Sequence, residues 1–208
     1  MENSKIMKEA AAALKGKWGL AVVGNLLLAV IYIAVALVGW RIAGQDWGAN
    51  LTSLIFSPPL AIGMTIFSLK IYRDNNPEVE NLFIPFKTNW ANSILAYFMM
   101  GVLVAVGFIL LIIPGVIAAL MFSQIFFIMG EEKEIGAYDD LVKSMNMMKG
   151  YKWKLFKIYL RLFGLSILCI FTLGIGFIWL LPYQNVVFSV FYDDVKDNPS
   201  FKNQEYIN

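Results

Sequence analysis

The sequence predicts an all-α fold: a polytopic membrane helix bundle of six transmembrane helices, built as three repeated helical hairpins with cytoplasmic interfacial amphipathic helices. Three observations predict it. The first is composition, since 59% of the 208 residues are apolar and only 15% are charged. A soluble domain usually carries about 25% charged residues, so this chain has too little charge to cover a water-facing surface. The second is that the deficit is local. No Asp, Glu, Lys or Arg occurs from Trp18 to Trp40, from Gly48 to Leu69, from Thr88 to Gly130 or from Leu162 to Tyr192. Each stretch reaches the roughly 20 apolar residues needed to cross the hydrocarbon layer. The third is a recurring order of signals: a basic Trp segment opens an apolar run, a breaker interrupts it, and a second run ends in polar residues.

One membrane domain covers 1–208, and its elements follow in chain order. The first hairpin unit, about residues 15–74, opens at Leu14-Lys15-Gly16-Lys17-Trp18, breaks at Ser57-Pro58-Pro59 and ends at Tyr72-Arg73-Asp74. It carries extra residues, Arg41 to Phe56, which read as a far-side loop with part of an interfacial helix. The other reading starts the second helix at Leu51 and kinks it at Pro58-Pro59, and both readings keep six crossings. The second unit, about 86–132, opens at Phe86-Lys87-Thr88-Asn89-Trp90, breaks at Ile113-Pro114-Gly115 and ends at Gly130-Glu131-Glu132. The third, about 149–194, opens at Met148-Lys149-Gly150-Tyr151-Lys152-Trp153, breaks across Thr172–Gly176 and ends at Tyr192-Asp193-Asp194. Trp18, Trp90 and Trp153 are the expected interfacial anchors, because an indole favours the headgroup boundary and a neighbouring ammonium stays wet. The N-terminal apolar run is too long for a signal-peptide core, and it reads as a retained helix.

An amphipathic helix is expected over about 134–149, where Ile135, Tyr138, Leu141, Val142, Met145 and Met148 recur at three to four residues. Glu134, Asp139, Asp140, Lys143 and Lys149 fall largely on its other face. Such a helix suits the headgroup plane, or else packs beneath the bundle by protein contacts. Ile6 to Leu14 repeats the pattern more weakly, and a polar tail covers 195–208. Fifteen of the seventeen basic residues lie in the N-terminus, Lys70–Lys87, Lys133–Lys157 and the C-terminal tail. Six crossings put all four segments on one side, so both termini are expected in the cytoplasm.

The residue inventory closes several functional classes. There is no histidine, and the single Cys169 lies in an apolar run. Cys/His metal sites and histidine-based nucleophilic catalysis are thereby removed, and no catalytic residue, metal or cofactor is expected. The net charge of +2 does not suggest a nucleic-acid partner. The apolar runs hold no carboxylate, which argues against an ion-coupled pump. Two sets of candidates remain. Lys154, Lys157 and Arg161 are spaced to share one face of the fifth helix, where a guanidinium could snorkel to a lipid phosphate or satisfy bundle carbonyls. Asn25, Gln124, Gln184 and Asn185 are polar groups within helices, read as bundle glue or as the wall of a cavity. Pro182 frees the carbonyl of Ile178. Gly101 and Ala105 are spaced for close helix contact, with Gly107 on a second small face. Met145, Met147 and Met148 read as adaptable apolar surface.

The segment Ala12-Ala13-Leu14-Lys15-Gly16-Lys17-Trp18-Gly19 resembles the start of the domain-of-unknown-function 975 family of bacterial integral membrane proteins. The resemblance continues through Ile113-Pro114-Gly115-Val116-Ile117, Ser144, Met148-Lys149-Gly150, Leu155-Phe156, Pro182-Tyr183 and Phe191-Tyr192. Phe163-Gly164-Leu165 departs from it, where such families often place a Trp after Phe-Gly. The resemblance implies a bacterial plasma-membrane protein without catalytic activity, with relatives regarded as accessory, stress or self-protection proteins. The fold is similar, by analogy only, to the membrane part of some glycerophosphodiesterases. The expected function is non-enzymatic binding of membrane lipids or of a membrane-protein partner, self-association included, in envelope homeostasis or bacteriocin defence. The competing expectation is a small transporter or channel for a neutral or amphipathic solute.

Overall fold

The computed structural model describes residues 1–43, 47–88, 90–132 and 136–197. Asp46 of the far-side loop, Asn89, the start of the predicted amphipathic helix at Glu134 and Ile135, and the tail from 198 lie outside the described residues. The chain is all-helical, with no strand among the described residues. In order come α1 (Asn3–Ala13), α2 (Trp18–Ala43), α3 (Gly48–Tyr72), a 3-10 turn (Val79–Phe83) running into α4 (Ile84–Thr88), and α5 (Trp90–Leu110). Then follow α6 (Ile112–Met121), α7 (Ile125–Glu131), α8 (Ala137–Met147), α9 (Lys152–Phe171) and α10 (Phe177–Lys196). Three of the long helices start at the basic Trp segments: α2 at Trp18, α5 at Trp90 and α9 one residue before Trp153.

Among the described residues four helical stretches are long and apolar enough to cross a membrane: Trp18–Ile42, Asn50–Tyr72, Trp90–Leu110 and Ile112–Glu131. This is the pattern of a multi-pass membrane protein. α2 and α5 leave most of their apolar side chains uncovered, including Val30, Phe98 and Ile109, the last 83% exposed. Water would not tolerate such a surface, and lipid would. α9 and α10 have comparable length, but their composition differs. Lys152, Lys154, Lys157 and Arg161 occupy the first half of α9, and Gln184, Asn185, Asp193 and Asp194 interrupt α10.

The core is built on α3 and α10. Leu60, Phe67, Val187, Phe191 and Tyr192 are buried where these two meet, and Phe127 of α7 stacks on Tyr192 at 5.1 Å. α1 joins the same core through Ile6 and Ala10, together with Leu14 just past its end, all without solvent exposure. Protein therefore covers its apolar stripe, in place of the headgroup plane.

Four details differ from the sequence reading. Pro58 and Pro59 do not end a helix, because α3 continues through them from Gly48 to Tyr72. Pro59 leaves the carbonyl of Ile55 without its helical partner. The indole Nε1 of Trp90 donates to that carbonyl at 3.4 Å, so one of the two carbonyls freed by the proline pair is met from a distant part of the chain. The returning run of the second unit is split into α6 and α7 at Ser123-Gln124, where Ser123 Oγ donates back to the Leu120 carbonyl at 2.9 Å. Gly101 faces open space and Ala105 is exposed, so neither makes a helix contact within the chain. Gly107 does, since a Cβ there would lie 3.0 Å from Gly115 Cα across the α5–α6 turn. Finally, α8 packs on α5 and α7, and Asp140, assigned to its polar face, is buried.

The turns between long helices are also staggered. Ile112 and Ile113, at the α5–α6 turn, line the same groove as Lys152 and Trp153 at the start of α9. Trp18, at the start of α2, lines a groove with Thr172 and Gly176 at the α9–α10 turn. A 20-residue helix rises about 30 Å, so upright hairpins of equal depth would keep these residues apart. The three hairpins are therefore not stacked side by side at equal depth.

Candidate functional site

Three polar assemblies stand out, and the first lies on α9. The predicted trio divides. Lys154 is half-buried and forms an ion pair with Asp194, which also holds the N-terminal ammonium of Met1 at 2.5 Å. Lys157 and Arg161 are exposed, and no acid pairs with either among the described residues. Four residues apart on a helix, they are surface neighbours. Trp153, 67% exposed, sits one turn before Lys157 and stacks its ring on Phe156 at 5.2 Å. Leu160 and Leu168 flank the cations on the same outward side, and Gly164 leaves open space between them. The stripe is thus aromatic, doubly cationic and then apolar along one helix face. Of the other two anchors, Trp90 is partly engaged by its bond to Ile55, and Trp18 is half-buried against α9 and α10.

The second assembly gathers the C-terminal ends of α3, α7 and α10. Arg73 after α3 donates to Asp193 Oδ2 of α10 at 2.8 Å and to Glu131 Oε1 of α7 at 2.5 Å. Tyr192 Oη and Lys196 Nζ donate to Glu131 Oε2 at 2.7 and 2.5 Å. Hydrogen bonding to Asp193 first, and then to Glu131, raises the Arg73 pKa against the opposing effect of partial burial. Carboxylates at helix C-termini are opposed by the helix dipole, and these cations offset that. Sequence reasoning treated Tyr72-Arg73-Asp74, Gly130-Glu131-Glu132 and Tyr192-Asp193-Asp194 only as polar ends. The recurrence of charged triplets at the same place in each unit was the available signal that they meet.

The third assembly is interior. Asn185 Nδ2 of α10 donates to Asn25 Oδ1 of α2 at 3.0 Å, and Ser189 Oγ donates to Ser68 Oγ of α3 at 2.9 Å. Beside them a cavity of about 390 Å³ opens between α2, α3, α7 and α10. Tyr32, Thr65 and Ser68 add hydroxyls to its wall, and none of the three was singled out from the sequence. Hydroxyls in apolar helices carry no periodic signal that separates a wall from a back-bonded side chain. The structure thus brings together two of the four predicted amides. Gln184 is half-buried on α10 and does not line the cavity. Gln124 is 1% exposed at the α6–α7 break, where Nε2 donates to Ser123 Oγ at 2.9 Å and Oε1 has no partner.

A family model described as a protein of unknown function (DUF975) matches residues 91–199. The chain belongs to this family. The DUF975 match takes in α5 to α10, hence the Lys157–Arg161 stripe, Gln124 and Asn185, while Asn25, Tyr32 and Ser68 precede it. No curated protein and no solved structure matches the chain.

Proposed function

We propose that this chain is a non-enzymatic, multi-pass protein of the bacterial cytoplasmic membrane that binds anionic phospholipid along the outer face of α9. Both termini are cytoplasmic, α9 and α10 enter the bilayer as a third hairpin after the four apolar spans, and the lipid contact serves envelope homeostasis or self-protection. The observation that carries the reading is the setting of two cations on α9, since lacking an acid partner is shared among the described residues by Lys5, Lys8, Lys15 and Lys87. Lys17, Arg73, Lys143, Lys154 and Lys196 are each matched to an acid. Lys157 and Arg161 instead point outward between a tryptophan and apolar side chains. Arg161 lies eight residues beyond Trp153, about 12 Å along the helix. From that depth a guanidinium reaches back to the headgroups and can take two phosphate oxygens at once.

The test compares thermal unfolding of the purified chain in phosphatidylcholine nanodiscs with and without phosphatidylglycerol. Each cation near an anionic surface contributes about 1 kcal/mol. A Lys157→Gln, Arg161→Gln double variant is therefore expected to lose roughly thirtyfold in affinity for the anionic lipid. Equal stabilisation of both proteins by phosphatidylglycerol would remove the α9 site.

A further inference from the structure

We propose that the cavity between α2, α3, α7 and α10 is a separate binding site for an uncharged lipid alcohol, such as a diacylglycerol. Its walls specify that chemistry in three ways. No Asp, Glu, Lys or Arg lines it, so a charged headgroup would be stripped of water without a counter-ion. The hydroxyls of the wall have their protons committed, while Asn25 and Asn185 each engage only one of two amide hydrogens, so the wall offers lone pairs and two amide donors. Ser68 Oγ donates to the Thr65 carbonyl at 3.1 Å, and Thr65 Oγ1 to that of Ile62 at 2.7 Å. Tyr32 Oη donates to Ser57 at 3.4 Å, and Asn25 Nδ2 to Ala21 at 2.9 Å. What these hydroxyls offer a guest is lone pairs, and a guest that brings a donor hydrogen satisfies them. A free hydroxyl does so without bringing charge.

The third feature is access for hydrocarbon. Leu28, Leu60, Met64, Phe127 and Phe188 make up much of the remaining wall. Ala29 and Leu181 also line the cavity and are exposed on the outside of the bundle, so it opens laterally. Its volume of about 390 Å³ holds a glycerol headgroup and the first carbons of its chains. The rest of the chains leaves through the lateral opening into the surrounding apolar phase.

The site is independent of the α9 stripe, and the experiment separates the two. The whole chain is placed in phosphatidylcholine nanodiscs, and its thermal unfolding is followed with added dioleoylglycerol or with the same lipid acetylated on its hydroxyl. Dioleoylglycerol is expected to raise the unfolding temperature of the wild type, and the acetylated lipid is not. Asn185→Leu removes a wall amide, and Ala61→Phe fills the space; each is expected to weaken dioleoylglycerol binding at least fivefold. Neither is expected to change the response to phosphatidylglycerol, while Arg161→Gln leaves the dioleoylglycerol response intact. Equal shifts from the free and acetylated lipids would overturn the proposal, as would no shift from either. That comparison uses the wild type alone, so it decides the matter even if a variant fails to fold. Undiminished dioleoylglycerol binding by folded Ala61→Phe would also overturn it.

Discussion

Asp140 gives the most direct quantitative test of how α8 is held. Its side chain is 1% exposed on the face of α8 turned toward the bundle, and neither carboxyl oxygen has a hydrogen-bond partner. Burial, reinforced by the nearby carboxylates of Glu132 and Asp139 and opposed by Lys143, pushes its pKa up from 3.8 to about 7. The sign follows from linkage. The folded state binds the proton more tightly than the unfolded state, so folding is favoured at low pH and loses ground as pH rises. The loss starts near the unfolded value of 3.8, grows through the interval up to about 7, and is complete above it. A shift of that size corresponds to roughly 4 kcal/mol at most, at about 1.4 kcal/mol per unit. Asp140→Asn keeps the shape and removes the charge. The variant is expected to match wild type near pH 4 and to exceed it by about 2–4 kcal/mol near pH 8. The assay is thermal unfolding in one detergent across that range, read as the difference between the two proteins. The difference cancels the contribution of every titrating group that the two proteins share. Parallel profiles for the two proteins, or a wild type more stable than the variant at pH 8, would refute the reasoning.

Gly63→Ala places a Cβ 2.1 Å from the backbone oxygen of Leu82, so it is expected to cost about 1–3 kcal/mol in detergent unfolding. Gly101→Ala, which meets nothing within 4 Å, is expected to be neutral or stabilising in the same assay. Gln124→Leu removes a buried oxygen that has no partner, so unfolding should place it within about 1 kcal/mol of wild type. For topology, a single cysteine at Lys15 or Asn76 in a Cys169→Ser background should resist an impermeant thiol reagent in intact cells, and one at Trp47 should react. External labelling at Asn76 would reverse the orientation drawn from the basic residues.

Where helices begin was legible because charge and tryptophan act locally. Lys17-Trp18, Lys87 with Trp90, and Lys152-Trp153 each stand at the start of a long helix, since a charged side chain and an indole both favour the edge of an apolar run. What those local signals cannot carry is who satisfies whom. Pro58-Pro59 reads as a break because each proline removes a helical hydrogen bond and crowds the preceding turn. Here one freed carbonyl finds its donor in Trp90, 35 positions away, and the helix continues. The 123–124 break went unseen for the converse reason. Ser123 and Gln124 are ordinary in an apolar run until the serine turns back onto Leu120.

The same distinction separates the candidates at the sites. Lys154, Lys157 and Arg161 share one pattern of residue types, but only a long-range contact can sort them. Asp194 lies 40 positions beyond Lys154 and neutralises it, and no acid reaches the next two cations among the described residues. Asn25 and Asn185 stand 160 positions apart, and neither is remarkable alone. Their pairing becomes informative when Tyr32, Thr65 and Ser68 are found beside them with their protons turned toward backbone carbonyls. An isolated amide between helices contributes about 1 kcal/mol of adhesion. A row of committed donors around an open volume does something adhesion does not require, because it leaves acceptors facing empty space. With one amide hydrogen each left on Asn25 and Asn185 beside those lone pairs, the wall both accepts and donates, which favours a guest that carries a hydroxyl and no charge.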